Sequence, residues 1–268
     1  MLIEVQGERA YSYGGGREFD PALPSAVFIH GAQNDHSVWA LQSRYFAHHG
    51  FNVLAVDLPG HGRSKGAALG TVEAMAAWLV ALLDTLQVQR VLLIGHSMGS
   101  LIALEAAASL SGRVMGLAML GTTYPMKVAD ALLTTARDNE PAAIDMVNLW
   151  SHARSSQNPL APLAGVSTLG VAKRLMERMS AINPATLFHT DFSACNAYAN
   201  GEAAAKQVAC PVLFVLATRD MMTPAKSTRL LASLLPAART VQVDAGHSLM
   251  SEQSGEVLDA LFDFAKSL

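Results

Sequence analysis

The chain has 268 residues, of which 51% are hydrophobic and 15% charged, and its formal net charge is −3 at pH 7. This composition allows one large core, and the weak negative charge offers no basic surface for nucleic acid or an anionic membrane. No run reaches about 18 apolar residues, and the first residues lack a basic segment followed by an apolar one, so we expect neither a membrane span nor a signal peptide. The two cysteines, Cys195 and Cys210, lack metal-ligand spacing and are expected to be reduced thiols. The chain is therefore predicted to be cytoplasmic.

Short apolar runs alternate with segments of helical period along most of the chain. After a predicted hairpin (residues 2–5 and 11–13), the runs that fit buried strands are 26–29, 52–56, 90–94, 114–120, 211–216 and 241–243. Helical periodicity covers residues 39–49, 71–86, 98–111, 227–235 and 257–267. Strands that alternate with helices predict a parallel sheet joined by right-handed crossovers.

The alternation stops after Gly121 and resumes at Pro211. Residues 122–206 show helical pattern without a convincing strand, and a structureless loop of that length is uncommon in a compact domain. We therefore predict a helical cap over residues 122–206, inserted into a core made of residues 1–121 and 207–268. Methionines in this insertion suit an adaptable apolar lining, although they would equally fill a small core of its own.

The strongest local motif is Gly95-His96-Ser97-Met98-Gly99, which lies between a predicted strand and a predicted helix. A serine in this position sits on a sharp turn with its hydroxyl above the sheet, and glycines are needed where side chains would collide with the strand and helix. Ser97 is therefore the candidate nucleophile. The amide of Met98, at the start of the helix, is placed to stabilise an oxyanion.

A serine nucleophile needs a base and a carboxylate that orients the base. His247 follows Gly246 in a loop after the last predicted strand, where ligands gather in open α/β sheets. Asp220 follows the end of the predicted strand 211–216. Asp130 is the nearest competitor for the acid, but it lies well beyond its preceding strand, inside the insertion. We therefore predict a triad of Ser97, Asp220 and His247.

Five segments in order resemble the α/β-hydrolase family over nearly the full length of the chain, in the branch of compact esterases and lactonases with a helical cap. They are His30-Gly31 with Trp39 downstream, Asp57-Leu58-Pro59-Gly60-His61-Gly62-Arg63-Ser64, Gly95-His96-Ser97-Met98-Gly99, Asp220-Met221-Met222-Thr223-Pro224 and Gly246-His247. The resemblance implies a mostly parallel, eight-stranded sheet flanked by helices, with the triad in the order serine, acid, histidine.

The resemblance also implies that the backbone amide of Ala32 is the second oxyanion donor, beside that of Met98. Substrate contacts are expected from four further residues: Gly31, Trp39, His96 and Met222. His30, His61 and Arg63 are interpreted as scaffold residues. The remaining histidines are interpreted as surface or hydrogen-bonded core residues: His36, His48, His49, His152 and His189.

These residues predict hydrolysis of an ester or lactone, with a small or medium apolar substrate and no metal or organic cofactor. Relatives that open epoxides or remove halide need a carboxylate nucleophile, so the serine at position 97 counts against both activities. Carbon–carbon bond hydrolases of ring-fission products remain an alternative, although they commonly carry Asn where His96 stands and Gly where Ser100 stands. A ligand-sensing protein on the same fold is the other alternative. The sequence leaves the oligomeric state open.

Overall fold

A computed structural model of the chain describes residues 1–110, 112–157, 167–183 and 187–268. Its centre is an eight-stranded sheet, made of β1 (Leu2–Val5), β2 (Glu8–Tyr13), β3 (Ser25–Ile29), β4 (Asn52–Val56), β5 (Val91–His96), β6 (Val114–Leu120), β7 (Val212–Ala217) and β8 (Arg239–Val243). The order of the strands in the sheet is β1-β2-β4-β3-β5-β6-β7-β8. Strand β2 pairs antiparallel with β1 and with β4, and β3 to β8 are parallel. The predicted fold class is thereby confirmed.

Strands β3 to β7 are largely apolar on both sides because both faces of the sheet are covered there, whereas β8, the last strand of the sheet, is mostly exposed. Strand β3 illustrates this arrangement, since Val27 and Ile29 pack into one core cluster while Ala26 and Phe28 pack into the other. The alternation follows the two-residue period of a strand. All five residues of β3 are buried, so its side chains contribute to two cores at once.

Helices cover the sheet, and each of the five predicted helical segments corresponds to one of them to within a few residues. They are α1 (Ala40–Ala47), α2 (Val72–Thr85), α3 (Met98–Ser109), α4 (Asp130–Asp138), α5 (Glu140–Ser151), α6 (Thr168–Ile182), α7 (Leu187–Ala197), α8 (Gly201–Gln207), α9 (Arg229–Leu234), α10 (Leu249–Glu252) and α11 (Ser254–Lys266). Helix α2 begins where its sequence predicts, because the Thr71 hydroxyl accepts a hydrogen bond from the Ala74 amide (3.1 Å). No helix in the described part of the chain is both long and apolar enough to cross a membrane.

The insertion forms a cluster of helices with its own small core. Residues of α4 to α7 pack together in it, among them Ile144, Met176 and Phe188. Helix α8, which the sequence assigns to the insertion, instead packs on α3 of the sheet layer. Its first residue, Gly201, lies so close to the Tyr124 ring that a Cβ would approach to 2.5 Å. We therefore propose that the cap ends before α8 and that α8 belongs to the core.

The carboxyl ends of the parallel strands meet at one edge of the sheet, where the cap covers them. Strand β3 pairs with β4 on one side and with β5 on the other, so the chain reverses its direction of winding at this point. Ligands bind in open α/β sheets at such switch points. The loops after β3, β5, β7 and β8 therefore share one location.

Candidate active site

Ser97 occupies a strained turn between β5 and α3. Its backbone angles are φ 52° and ψ −120°, a region that residues with side chains rarely adopt. A Cβ on Gly95 would lie 2.1 Å from the Gly99 carbonyl oxygen, and a Cβ on Gly99 would lie 2.4 Å from the Ile29 carbonyl oxygen. Both positions therefore need glycine, and the turn projects the Ser97 side chain beyond the sheet.

His247 and Asp220 are brought together from the loops after β8 and β7. His247 Nδ1 lies 2.8 Å from Asp220 Oδ2, and both side chains are buried. The Thr223 hydroxyl donates to the same carboxylate oxygen (2.8 Å), while the amides of Met222 and Thr223 donate to Oδ1 (2.8 and 2.7 Å). The carboxylate thus accepts four hydrogen bonds, one of which fixes the orientation of the imidazole.

The charge of Asp220 is stabilised by these contacts. Burial alone would raise the pKa of this carboxyl, but the neighbouring His247 and the hydrogen bonds from Thr223 lower it to about 2. Asp220 is therefore ionised at neutral pH and can only accept hydrogen bonds. It follows that His247 Nδ1 carries a proton and that Nε2 is free to accept one.

Ser97 and His247 line a common cavity of about 60 Å³ between the sheet edge and the cap. The core contributes Gly31, Ala32 and His96 to the lining, and the cap contributes Asn148 and His152. A larger cavity of about 190 Å³ adjoins Ser97 on the side of Met126, Leu132 and Met222. A third, of about 330 Å³, adjoins His96 and Ser248 on the other side. Ser97 therefore lines the first two of these cavities, and the third adjoins its neighbour His96.

The turn after β3 brings the candidate oxyanion donor Ala32 to this cavity. Gly31 lies so close to Ser97 that a Cβ would approach the serine Cβ to 3.2 Å. The Ala32 carbonyl accepts a hydrogen bond from Asn34 Nδ2 (3.0 Å). The Met98 amide is the first of α3, where N–H groups have no partner within the helix.

A buried network ties the same turn to the cap. Gln33 has a left-handed backbone (φ 57°), and its amide donates to Asp191 Oδ2 on α7 (2.8 Å). The same oxygen lies 2.9 Å from His61 Nε2. Burial lowers the pKa of His61, but the charge and hydrogen bond of Asp191 outweigh burial and raise it. Asp191 therefore joins the cap, the Ala32 turn and the Pro59–Gly62 turn.

The other predicted substrate contacts fall in two groups. Gly31, His96 and Met222 line the cavity that contains Ser97, and their role as substrate contacts stays a prediction. Trp39 does not: it is fully buried in the core beneath α1, with its ring centre 5.4 Å from that of Phe28. A short 3-10 turn, His36–Trp39, precedes α1 and directs the indole into the core instead of the cavity. The competing acid Asp130 is exposed at the start of α4.

Five polar residues of the cavity were not predicted from the sequence: Asn34, Asn148, Ser151, His152 and Ser248. His152, expected to be a surface or core histidine, and Asn148 both lie on the cap side of the cavity. They belong to the last turn of α5 and the residue after it, in the insertion, where no motif marks them. Their i, i+4 spacing is the one signal that would have placed them on the same helix face.

One group of described residues brings three possible metal ligands within 4.8 Å of one another: Asp35, His36 and Asp57. These groups already bond to each other and to the protein. Asp57 Oδ1 accepts from the His36 amide (2.8 Å) and lies 2.7 Å from His36 Nδ1, and Asp57 Oδ2 accepts from the Arg63 amide (2.8 Å). Asp35 pairs with Arg178. We therefore assign the group to the scaffold of the turns and not to a metal.

Comparison with known proteins agrees with this architecture. A family model described as alpha/beta hydrolase fold matches residues 24–253. An (E)-2-((N-methylformamido)methylene)succinate hydrolase of Acinetobacter baylyi is 35% identical over 99 residues, which are 37% of this chain and 37% of that protein. The lipase LipV of Mycobacterium tuberculosis is 33% identical over 151 residues, or 53% of each protein. These matches span less than two thirds of the relatives' own lengths.

A solved structure shares the fold over its whole length. The enol-lactonase from Burkholderia xenovorans aligns with a TM-score of 0.84 and 23% identity, over 99% of this chain and 100% of that one. At this level of identity the likeness concerns the fold. The family model, however, covers most of the chain, so this protein belongs to the α/β-hydrolase family of enzymes.

Proposed function

We propose that this enzyme hydrolyses a carboxylic ester or lactone through an acyl-enzyme formed on Ser97. The observation that carries the proposal is the common cavity: Ser97 on its strained turn faces the same space as His247, whose Nδ1 is 2.8 Å from the ionised Asp220. This arrangement supplies a nucleophile, a base with the correct tautomer, and a charge that stabilises the protonated base.

In the first half of the reaction, His247 Nε2 removes the proton of Ser97 as Oγ bonds to the carbonyl carbon. The described residues show no hydrogen bond between Ser97 Oγ and His247 Nε2, whose ring bonds only through Nδ1, so the proposal requires this contact to form when the substrate binds. The amides of Met98 and Ala32 hold the resulting oxyanion. When the carbon–oxygen bond of the ester breaks, the protonated His247 gives its proton to the leaving alcohol.

In the second half, His247 takes a proton from water while the hydroxide oxygen bonds to the acyl carbon. The Ser97–acyl bond then breaks, the serine oxygen recovers the proton, and the acid leaves. In a lactone, the alcohol and the acid remain parts of one molecule. The three roles are filled by side chains and amides of the protein, so this scheme uses no cofactor.

The cavities support a largely apolar acyl group. Apolar side chains dominate the wall on the Met222 side, among them Met126, Leu132 and Phe192, and the wall also includes the exposed Lys127. No lysine or arginine of the described residues lines the central cavity, so a carboxylate next to the scissile bond would lack a counter-ion there. A neutral ester or lactone suits this environment better than a dicarboxylate.

The test is turnover of p-nitrophenyl esters from acetate to long acyl chains by the wild type and by Ser97→Ala. We expect multiple turnovers that the substitution abolishes, with the preferred chain length reporting the size of the acyl site. A ring-fission diketone belongs in the same panel: preferential cleavage of the diketone would replace ester hydrolysis by carbon–carbon hydrolysis. Product that stops at one equivalent per protein would favour ligand sensing.

A further inference from the structure

The last turn of α5 and the residue after it bring two buried polar side chains to the catalytic cavity. Asn148 and His152 lie one helical turn apart, and both line the space that contains Ser97 and His247. Only 6% of Asn148 and 2% of His152 is exposed. Polar groups buried to this degree are almost always hydrogen-bonded, so a buried polar atom without a hydrogen-bond partner requires an explanation.

The hydrogen bonds of these two residues show which atoms remain free. His152 Nδ1 lies 2.8 Å from the Asn148 carbonyl oxygen, which only accepts, so Nδ1 carries the proton and Nε2 presents a lone pair. Asn148 Nδ2 donates to the Leu169 carbonyl (3.2 Å), which leaves Oδ1 as an acceptor. Neither His152 Nε2 nor Asn148 Oδ1 has a hydrogen-bond partner among the described residues. Burial lowers the pKa of His152, so its ring is neutral at pH 7.

A third acceptor belongs to the opposite wall of the same cavity. His96 Nε2 donates to the His247 carbonyl (2.9 Å), so its Nδ1 is a lone pair, and this atom also lacks a partner in the described part of the chain. Burial and the neighbouring His247 lower the pKa of His96 to about 3, which keeps the ring neutral. The cavity is therefore lined by three residues with unsatisfied acceptors.

The cap segment that carries His152 is held rigidly against the loop of the candidate base. The Ser248 amide donates to the Ser151 carbonyl (2.8 Å). Glu252 accepts from the amides of Ala153 and Gly246 (3.1 Å each), one from either side of the junction. A Cβ on Gly246 would lie 2.6 Å from the Ala153 nitrogen, so the two segments touch without space for a side chain. His152 is thus positioned relative to His247 before any ligand binds.

We propose that His152 and Asn148 form a substrate-binding site that accepts hydrogen bonds from an O–H or N–H group carried near the scissile carbonyl. This inference rests on the proposed function and specifies its substrate class: neutral hydroxyacyl or acylamino esters and lactones. Such a donor satisfies the free lone pairs, whereas a carboxylate would face them and be repelled. A bound water is the competing donor, and the experiment separates the two.

The experiment compares substrates that differ by a single donor. p-Nitrophenyl N-acetylglycinate is matched by the levulinate ester, in which CH₂ replaces N–H, and the 2- and 3-hydroxybutyrates are matched by the butyrate. Each pair is measured as kcat/KM for the wild type, His152→Leu, Asn148→Leu and the acceptor-retaining His152→Gln. His48→Leu, an exposed histidine far from the cavity, is the matched control.

We expect the wild type to prefer at least one donor-bearing ester over its match. His152→Leu and Asn148→Leu should each reduce that preference about three- to tenfold, as the loss of one hydrogen bond to a neutral group predicts. His152→Gln should restore part of it, and His48→Leu should leave it unchanged. Preferences are ratios within one variant, so a loss of folded protein does not alter them.

Three results would overturn the inference. If the wild type cleaves plain esters but shows no donor preference, the site does not read the substrate, while the proposed function stands. If His152→Leu lowers kcat/KM equally for both members of a pair, the residue holds water or structure. If the wild type cleaves no ester in the panel although a fluorophosphonate labels Ser97, the proposed function fails, and the inference fails with it.

Discussion

Asparagine has nearly the same shape as aspartate but no charge, so the substitution Asp220→Asn tests what the charge of this residue contributes. The pKa of Asp220 is about 2, below its ordinary value of 3.8. A carboxyl with a depressed pKa stabilises the fold at pH values above the ordinary pKa, and this contribution is lost as the pH falls through the folded-state value. The difference corresponds to about 2 kcal/mol at pH 7, of which roughly half remains at pH 3.

The substitution should also affect the candidate base. The asparagine oxygen can still accept from the amides of Met222 and Thr223, which turns its NH₂ group toward His247 Nδ1. Two donors then face each other, and the imidazole adopts the tautomer that carries its proton on Nε2. This tautomer cannot accept the proton of Ser97, and the equivalent loss in serine hydrolases lowers kcat about 10⁴-fold.

The assays are the rate of fluorophosphonate labelling at pH 7 and urea unfolding between pH 7 and pH 3. We expect labelling of Asp220→Asn to be slower by about 10⁴-fold, and its deficit in unfolding free energy to shrink from about 2 kcal/mol as the pH falls. Asp244→Asn is the matched control, because its carboxylate pairs with Arg219 at an exposed site, where ion pairs contribute little. Labelling within tenfold of the wild type, or a deficit independent of pH, would refute the reasoning.

Three further substitutions test other parts of the site. Thr223→Val removes a hydroxyl that bonds to the Asp220 carboxylate (2.8 Å), so kcat/KM for a p-nitrophenyl ester should fall about tenfold, and an unchanged value would contradict this. Gly99→Ala places a Cβ 2.4 Å from a backbone oxygen and should lower the free energy of unfolding by about 3 kcal/mol, whereas Gly70→Ala, with open space around it, should stay within about 0.5 kcal/mol. Asp191→Ala leaves the buried His61 unpaired and should cost about 3–5 kcal/mol in urea unfolding; a loss below about 1 kcal/mol would count against a structural role.

Much of this architecture could be predicted because each strand carries its own signal. The runs before Ser97 and Asp220 are buried along their whole length, and β8, which precedes His247, pairs in parallel with β7 as the last strand of the sheet. Because the carboxyl ends of parallel strands lie at one edge of a sheet, the loops after these strands share one location. The glycines around Ser97 are required by local contacts with strand and helix. The prediction from the sequence therefore agrees with the structure where backbone contacts determine which residue fits.

The remaining features depend on tertiary packing that the sequence pattern does not encode. Helix α8 has the same helical composition as the cap, and only its packing on α3 led us to propose that it belongs with the core. Trp39 carries a family motif position, but the turn before α1 directs it inward. His152 resembles any other histidine until the fold places it beside His247, because a residue in an insertion reaches the site through the docking of the whole cap.

The central claim is that Ser97 forms the covalent intermediate. The most direct measurement is intact mass followed by peptide mapping after reaction with a fluorophosphonate, with Ser97→Ala treated in parallel. We expect one adduct per chain, located on Ser97 and absent from the variant. An unlabelled wild type that is folded by circular dichroism, or an adduct on another residue that persists in Ser97→Ala, would contradict the account.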